Sequence, residues 1–96
     1  MYARVTVSLI PLDKIDERLK NTRETTLPAA KKTKGYKGYL SLFDRETGER
    51  VTVSLWDSEE DMKASEKGYY AEAVKRGQGS GAKRISQKNY VVGIKD

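Results

Sequence analysis

No cysteine and no histidine occur among the 96 residues of this chain. Without cysteine there is no disulfide framework, no thiolate metal site and no cysteine nucleophile, and the redox compartment stays open. Without histidine the commonest general base, the commonest metal ligand and the usual proximal haem ligand are all missing. Acidic residues are absent from two windows, between Glu24 and Asp44 and between Glu72 and Asp96. Those windows hold Lys31, Lys32, Lys34 and Lys37, then Lys75, Arg76, Lys83, Arg84, Lys88 and Lys95, and the formal net charge is +5. Such patches are compatible with an anionic ligand or nucleic acid; they are better read as solvated loops and helix C-termini, where cations are stabilised. Long apolar runs are lacking too, none approaching the roughly 20 residues of a membrane-spanning helix. The start, MYARVTVSLIP, has no basic leader ahead of a long apolar block, so a cytoplasmic location is expected.

What is present is a globular composition, 36% hydrophobic and 34% charged, read as one domain over residues 1–96 with an economical core. A chain of this size hides roughly two-thirds of its unfolded surface on folding, so a partner copy would add stability. Ala3, Val5, Val7 and Leu9 alternate with Arg4, Thr6 and Ser8, the period-two pattern of a half-buried strand that Pro11 ends. Leu12, Ile15, Leu19 and Thr22 recur at helical spacing, with Asp13, Asp16 and Glu17 in the first turn, where the helix dipole favours acids. Pro28 has no amide hydrogen for the carbonyl four residues back, so this helix is predicted to kink or restart there.

Tyr36–Phe43 and Arg50–Trp56 read as a hairpin around DRETGE, with Gly48 at positive φ. Asp57 or Ser58 caps a second helix, and Asp61 makes a capping-box match with Ser58. Met62, Ser65, Tyr69 and Ala73 form its stripe, with a bend at Gly68. Gly77–Gly81 reads as a flexible loop; no strand feeds it and no helix follows it, which argues against a phosphate cradle. Asn89–Lys95 reads as the last strand, with Tyr90, Val92 and Ile94 on one side. The order βαββαβ makes each half a split βαβ unit: a ferredoxin-like α+β fold, with a four-stranded antiparallel sheet and both helices on one face.

A strand has only two faces, so side chains can be sorted by parity. One face collects Ala3, Val5, Val7, Leu9, Gly38, Leu40, Leu42, Val51, Val53 and Leu55, and is expected to lie dry beneath the helices. The other collects Arg4, Thr6, Ser8, Tyr39, Ser41, Phe43, Thr52, Ser54 and Trp56. It is too apolar to be freely solvated and too polar for a tight core. A second copy of the same sheet is its expected cover, which makes the chain a homodimer with two sheets face to face.

The segment YKGYLSLFDRETGERVTVSLWDSEEDMKAS, Tyr36–Ser65, resembles the heart of the antibiotic biosynthesis monooxygenase-like superfamily, the dimeric α+β barrels. There a Gly-aromatic strand, an acidic turn and a Leu-Trp-x-Ser step into the second helix recur. The resemblance implies a homodimeric barrel with a ligand pocket between each sheet and its helices, no cofactor, and activities from cofactor-free oxidation of aromatic polyketides to haem breakdown. The haem-degrading branch uses an Asn on the first strand and a Trp and a His on the second helix, and none of these is present. The quinone-forming branch uses Tyr, Trp, Asn and Arg around a phenol. The only asparagines here, Asn21 and Asn89, lie outside that pattern.

The candidate site residues follow, each with two readings. As an enzyme the chain would use Tyr69 or Tyr70 to position a phenolic oxygen and Arg4 to stabilise its negative charge, with Trp56, Tyr39, Phe43 and Met62 lining the ligand site. Trp56 is otherwise a packing anchor at the strand-to-helix step. Tyr69 and Tyr70 are otherwise core or interface residues, and Arg4 an inter-subunit ion pair. Glu59, Glu60 and Asp61 fall in a first helical turn, where the dipole accounts for them. No metal-ligand spacing or nucleophile triad is present.

The leading expectation is a protein that binds a small hydrophobic or aromatic metabolite, with a cofactor-free monooxygenase as the alternative. An RNA-binding module is the third reading, because RNA-recognition domains share the element order and KGYKGYLSLF echoes their Lys-Gly-aromatic strand. Those domains need two aromatics on one face of the third strand. Tyr36 and Tyr39 lie on the second strand and point oppositely, so nucleic acid is not the expected partner.

Overall fold

The computed structural model describes all residues, Met1–Asp96. Strand β1 (Tyr2–Leu9) leads through a short 3-10 turn (Leu12–Lys14) into α1 (Ile15–Asn21), a π-helical turn (Thr22–Thr26) and α2 (Leu27–Lys31). The hairpin β2 (Tyr36–Phe43) and β3 (Glu49–Trp56) follows, then α3 (Glu59–Ser65), α4 (Tyr69–Gly79) and β4 (Lys83–Val91). The sheet order is β2-β3-β1-β4, every neighbour antiparallel. This is the ferredoxin-like α+β plan read from the sequence.

Local chemistry explains the boundaries. The widened turn at Thr22–Thr26 sits directly before Pro28, so the proline enters the first turn of α2, where its missing amide hydrogen matters least. The Ser58 hydroxyl accepts from the Asp61 amide at 3.1 Å, and Glu59, Glu60 and Asp61 load the first turn of α3 with acids. Gly68 separates α3 from α4. Gly48 takes φ +84 in the hairpin turn, and its carbonyl accepts from the Ile10 amide at 2.8 Å, tying the turn to the end of β1.

Two element boundaries differ from the sequence reading. Helix α4 continues through Gly77 to Gly79, with Gly77 buried beside Ala82 and Arg18, and the chain turns only at Gly81, at φ +86. Strand β4 runs over Lys83–Val91 rather than Asn89–Lys95. It is a polar, exposed edge paired only to β1, so it carries no hydrophobic alternation to announce it.

The larger correction concerns the faces of the sheet. Arg4, Ser54 and Trp56 are buried beneath the helices, with Arg50 beside them, so the hydroxyl-bearing and aromatic face is the covered one. The aliphatic face is the open one: Leu9, Leu40 and Leu42 are 40, 54 and 50% exposed, and Val5, Val7, Val51, Val53 and Leu55 are half-buried. The first helical run accounts for the inversion. Its inward stripe is Ile15, Arg18, Thr22, Thr26 and Ala30, so Arg18 rather than Leu19 turns toward the sheet, and Leu12 is exposed. A polar stripe thus faces a polar sheet face, and the two are joined where Arg50 Nη2 donates to the Thr22 hydroxyl at 2.9 Å.

Between the layers the packing divides in two. At one end Ala30, Trp56, Met62 and Tyr69 form an apolar cluster, with Tyr2, Ala29, Tyr36 and Tyr70 against it. Tyr69 stacks on Trp56 with ring centroids 5.9 Å apart, and Tyr36 meets the indole edge-on at 6.2 Å. At the other end the layers enclose a cavity.

Candidate functional site

The cavity lies between β1, β2 and β3 on one side and α1, the π-helical turn and α4 on the other, with a volume of about 90 Å³. Its walls hold Thr6, Tyr39, Thr52, Tyr69 and Tyr70, a short apolar strip at Ala73 and Val74, and four arginines: Arg4, Arg18, Arg50 and Arg84. No aspartate or glutamate lines it. Exposed Gln78 and Arg84 mark its mouth, beside the uncovered β4 edge.

Arg4 reaches from β1 into the second helical run and is 2% exposed. Its Nη1 donates to the Met62 carbonyl at 3.2 Å and the Ser65 hydroxyl at 2.9 Å, and its Nη2 donates to the Tyr69 hydroxyl at 2.8 Å. Glu66 stands 3.9 Å from Nη1. Arg4 is thus buried among partners of its own chain, where the sequence reading also weighed an inter-subunit ion pair. The guanidinium also lies over the Tyr70 ring, 4.0 Å from its centroid, a cation–π contact away from bulk water. Burial pushes the Tyr69 hydroxyl above its usual ionisation range, and the adjacent Arg4 opposes that shift. Tyr70 is less buried; its hydroxyl pairs with Thr6 Oγ1 at 3.1 Å and accepts from Arg84 at 3.5 Å.

At the opposite wall Arg50 donates through Nε to Ser41 at 3.1 Å and through Nη2 to Thr22 at 2.9 Å and Tyr39 at 3.2 Å. Arg18 donates to the Asn21 side-chain oxygen at 3.3 Å, and the same oxygen accepts from Arg76 at 3.3 Å. Arg76 also donates to Thr26 at 3.1 Å. Every acceptor in this second cluster is a neutral hydroxyl or amide, and no carboxylate oxygen lies within 4.0 Å of Arg18, Arg50, Arg76 or Arg84.

Of the residues singled out from the sequence, Arg4, Tyr39, Tyr69 and Tyr70 meet at this one cavity. Trp56 and Met62 do not line it; both are fully buried in the apolar cluster behind Tyr69, where the indole N–H donates to Ser54 at 2.9 Å. Phe43 lies on the same sheet face but away from the cavity, against the Arg50 guanidinium at 5.2 Å. Sequence reasoning passed over Arg18, Arg50 and Asn21. The signal for the first was the four-residue spacing of Arg18, Thr22 and Thr26, a polar stripe on a helix that must face a sheet.

A four-stranded antiparallel sheet in this order, crossed on one face by two broken helical runs that enclose a cavity, is the fold of the antibiotic biosynthesis monooxygenase-like α+β proteins. Among solved structures, a candidate antibiotic biosynthesis monooxygenase from Deinococcus radiodurans superposes with a TM-score of 0.71 at 15% identity, covering 100% of this chain and 96% of that one. The haem-degrading protein MhuD from Mycobacterium tuberculosis, with two haems bound in its active site, gives 0.72 at 17% identity over 100% and 99% of the two chains. SnoaB, a cofactor-independent oxygenase from Streptomyces nogalater, gives 0.73 at 7% identity over 98% and 94%. No protein-family model matches the sequence, and no curated protein matches it. No helix is long and apolar enough to cross a membrane.

Proposed function

We propose that this chain is a homodimer in which each subunit binds a small aromatic metabolite in the cavity between its sheet and its helices. The observation that carries this reading is the cavity itself. Where a solid core would be more stable, the fold keeps an opening bordered by three tyrosines and a short apolar strip, the combination of shape and few convergent polar groups typical of ligand sites. The open aliphatic face of the sheet supports the dimer, since a second copy of that face would cover it.

The alternative is that binding leads to cofactor-free oxidation, as the description of SnoaB suggests for a protein of this fold. A phenol with one free ring position and one dioxygen would give a quinone and one water, one oxygen atom entering the ring and the other leaving as water. An arginine-rich wall without acids favours the phenolate, the electron-rich form that gives electrons to dioxygen. In this reading Tyr70 donates to the ring oxygen, Arg4 stabilises its charge, and Tyr69 holds Arg4. Trp56 backs Tyr69 rather than touching the ligand.

The residues present do not fit a haem. The wall holds no histidine, cysteine or methionine, its tyrosine hydroxyls are engaged by Arg4, Thr6 and Arg50, and about 90 Å³ is far below what a macrocycle fills.

The test is a panel running from hydroquinone to dihydroxyanthracenes, titrated calorimetrically and then incubated in air while quinone absorbance is followed. Binding of a single-ring phenol that weakens in Tyr70→Phe is the expected result. Quinone formation lost in the same variant adds the oxidative step, and no binding across the panel refutes the reading.

A further inference from the structure

The second arginine cluster is not explained by packing. Arg18 is 4% exposed, lines the cavity, and its Nε–H has no acceptor. Arg50, 8% exposed, lines the same wall and donates only to neutral hydroxyls. Buried guanidinium groups normally sit against carboxylates, because an uncompensated charge away from water is strongly unfavourable. Here Arg50 and Arg76 repel Arg18, and its ionisation is depressed by burial first and by these two neighbours next. Tyr39 and Glu17 oppose that shift without reversing it, which leaves a charge that a bound anion would balance.

Resting on the aromatic-ligand reading above, we infer that this end of the cavity is an oxyanion site, in which Arg18 and Arg50 receive a carboxylate carried by the ligand, so that the ligand is an aromatic acid. The size of the site limits that acid to one ring. About 90 Å³ is smaller than the about 150 Å³ of an engineered cavity that takes up benzene, so even a single ring would extend part-way out through the mouth. The carboxylate leads toward Arg18 and Arg50, the ring lies along Ala73 and Val74, and the far edge reaches the mouth at Arg84. The planar guanidinium fork suits a carboxylate better than an ammonium would.

The test is titration calorimetry on the intact chain with 4-hydroxybenzoate, its neutral analogue 4-hydroxybenzyl alcohol, and inorganic phosphate. The expected result is that 4-hydroxybenzoate binds at least about 10-fold more tightly than the alcohol, a gap that narrows with added salt. Arg18→Met should erase the preference while the Tm of the free protein stays level or rises, since an unpaired buried charge is replaced by an apolar chain of similar length. Arg18→Lys should retain part of the preference. Equal affinities for acid and alcohol would overturn the oxyanion site and leave the aromatic pocket standing. Phosphate binding as tightly as 4-hydroxybenzoate would overturn the aromatic acid in favour of a bare anion. Failure of all three to bind folded protein would overturn both readings together.

Discussion

Tyr69 shows how one side chain at the boundary between core and cavity couples stability to pH. Burial raises its folded pKa above the ordinary value of about 10, and Arg4 at 2.8 Å only partly offsets this. A group whose folded pKa is raised contributes stability that is complete below its unfolded pKa and lost as pH climbs through the folded one. Tyr36, raised by burial, acts in the same direction. Thermal unfolding followed from neutral pH upward should therefore show a Tm that declines above about pH 10. Tyr69→Phe should decline less steeply, from a stability lower by about 1 kcal/mol because Arg4 loses an acceptor. Identical alkaline limbs in the two proteins would refute this. At this scale parity and helical spacing were enough to single out Arg4, Tyr39, Tyr69 and Tyr70, which meet at the cavity. Arg18 was hidden beside Leu19, because hydropathy selects the leucine of such a pair, and Arg50 was hidden because a charge next to a hairpin turn usually points to water.

Glycines separate the elements that tertiary contacts constrain from those they do not. At Gly48 an added Cβ would come within 2.2 Å of the Ile10 carbonyl oxygen, on a backbone at φ +84. Gly79 lies in the last turn of α4 with nothing within 4 Å of an added Cβ. Gly48→Ala should cost more than about 1 kcal/mol, whereas Gly79→Ala should gain up to about 1 kcal/mol from helix propensity. Urea midpoints at unchanged slope would measure both, and a stabilised Gly48→Ala or a destabilised Gly79→Ala would contradict the geometry. The hairpin, its turn glycine, the Ser58 cap and the break at Gly68 were legible because each depends on neighbours in sequence. The helical state of Gly77 was not, since its burial beside Arg18 and Ala82 is a tertiary feature that a glycine-rich run does not announce. Nor was the start of β4, whose residues stay mostly exposed although paired with β1.

For the molecule as a whole, the proposed dimer would form through the exposed aliphatic face. Leu40 and Val53 are cross-strand partners on that face, and Leu42 pairs with Val51 beside them. Burying such a surface contributes roughly 25 cal/mol per Å² of apolar area. Sedimentation equilibrium at micromolar concentration should give a dimer. Val53→Glu or Leu40→Glu should give single chains with helix content unchanged, since neither residue faces the helices. A wild-type protein that sediments as single chains would remove the dimer from the proposal.

By itself the sequence determined the element order, the alternation that makes every strand two-faced, and the absence of histidine and cysteine chemistry. Which face the helices cover was decided only in three dimensions. Alternation says that two faces differ, but burial depends on what the opposing layer presents. Here that layer presents Arg18, Thr22 and Thr26; Thr22 accepts from Arg50 of the sheet, a bond an aliphatic face could not have made, while Arg18 and Thr26 bond within the helical layer.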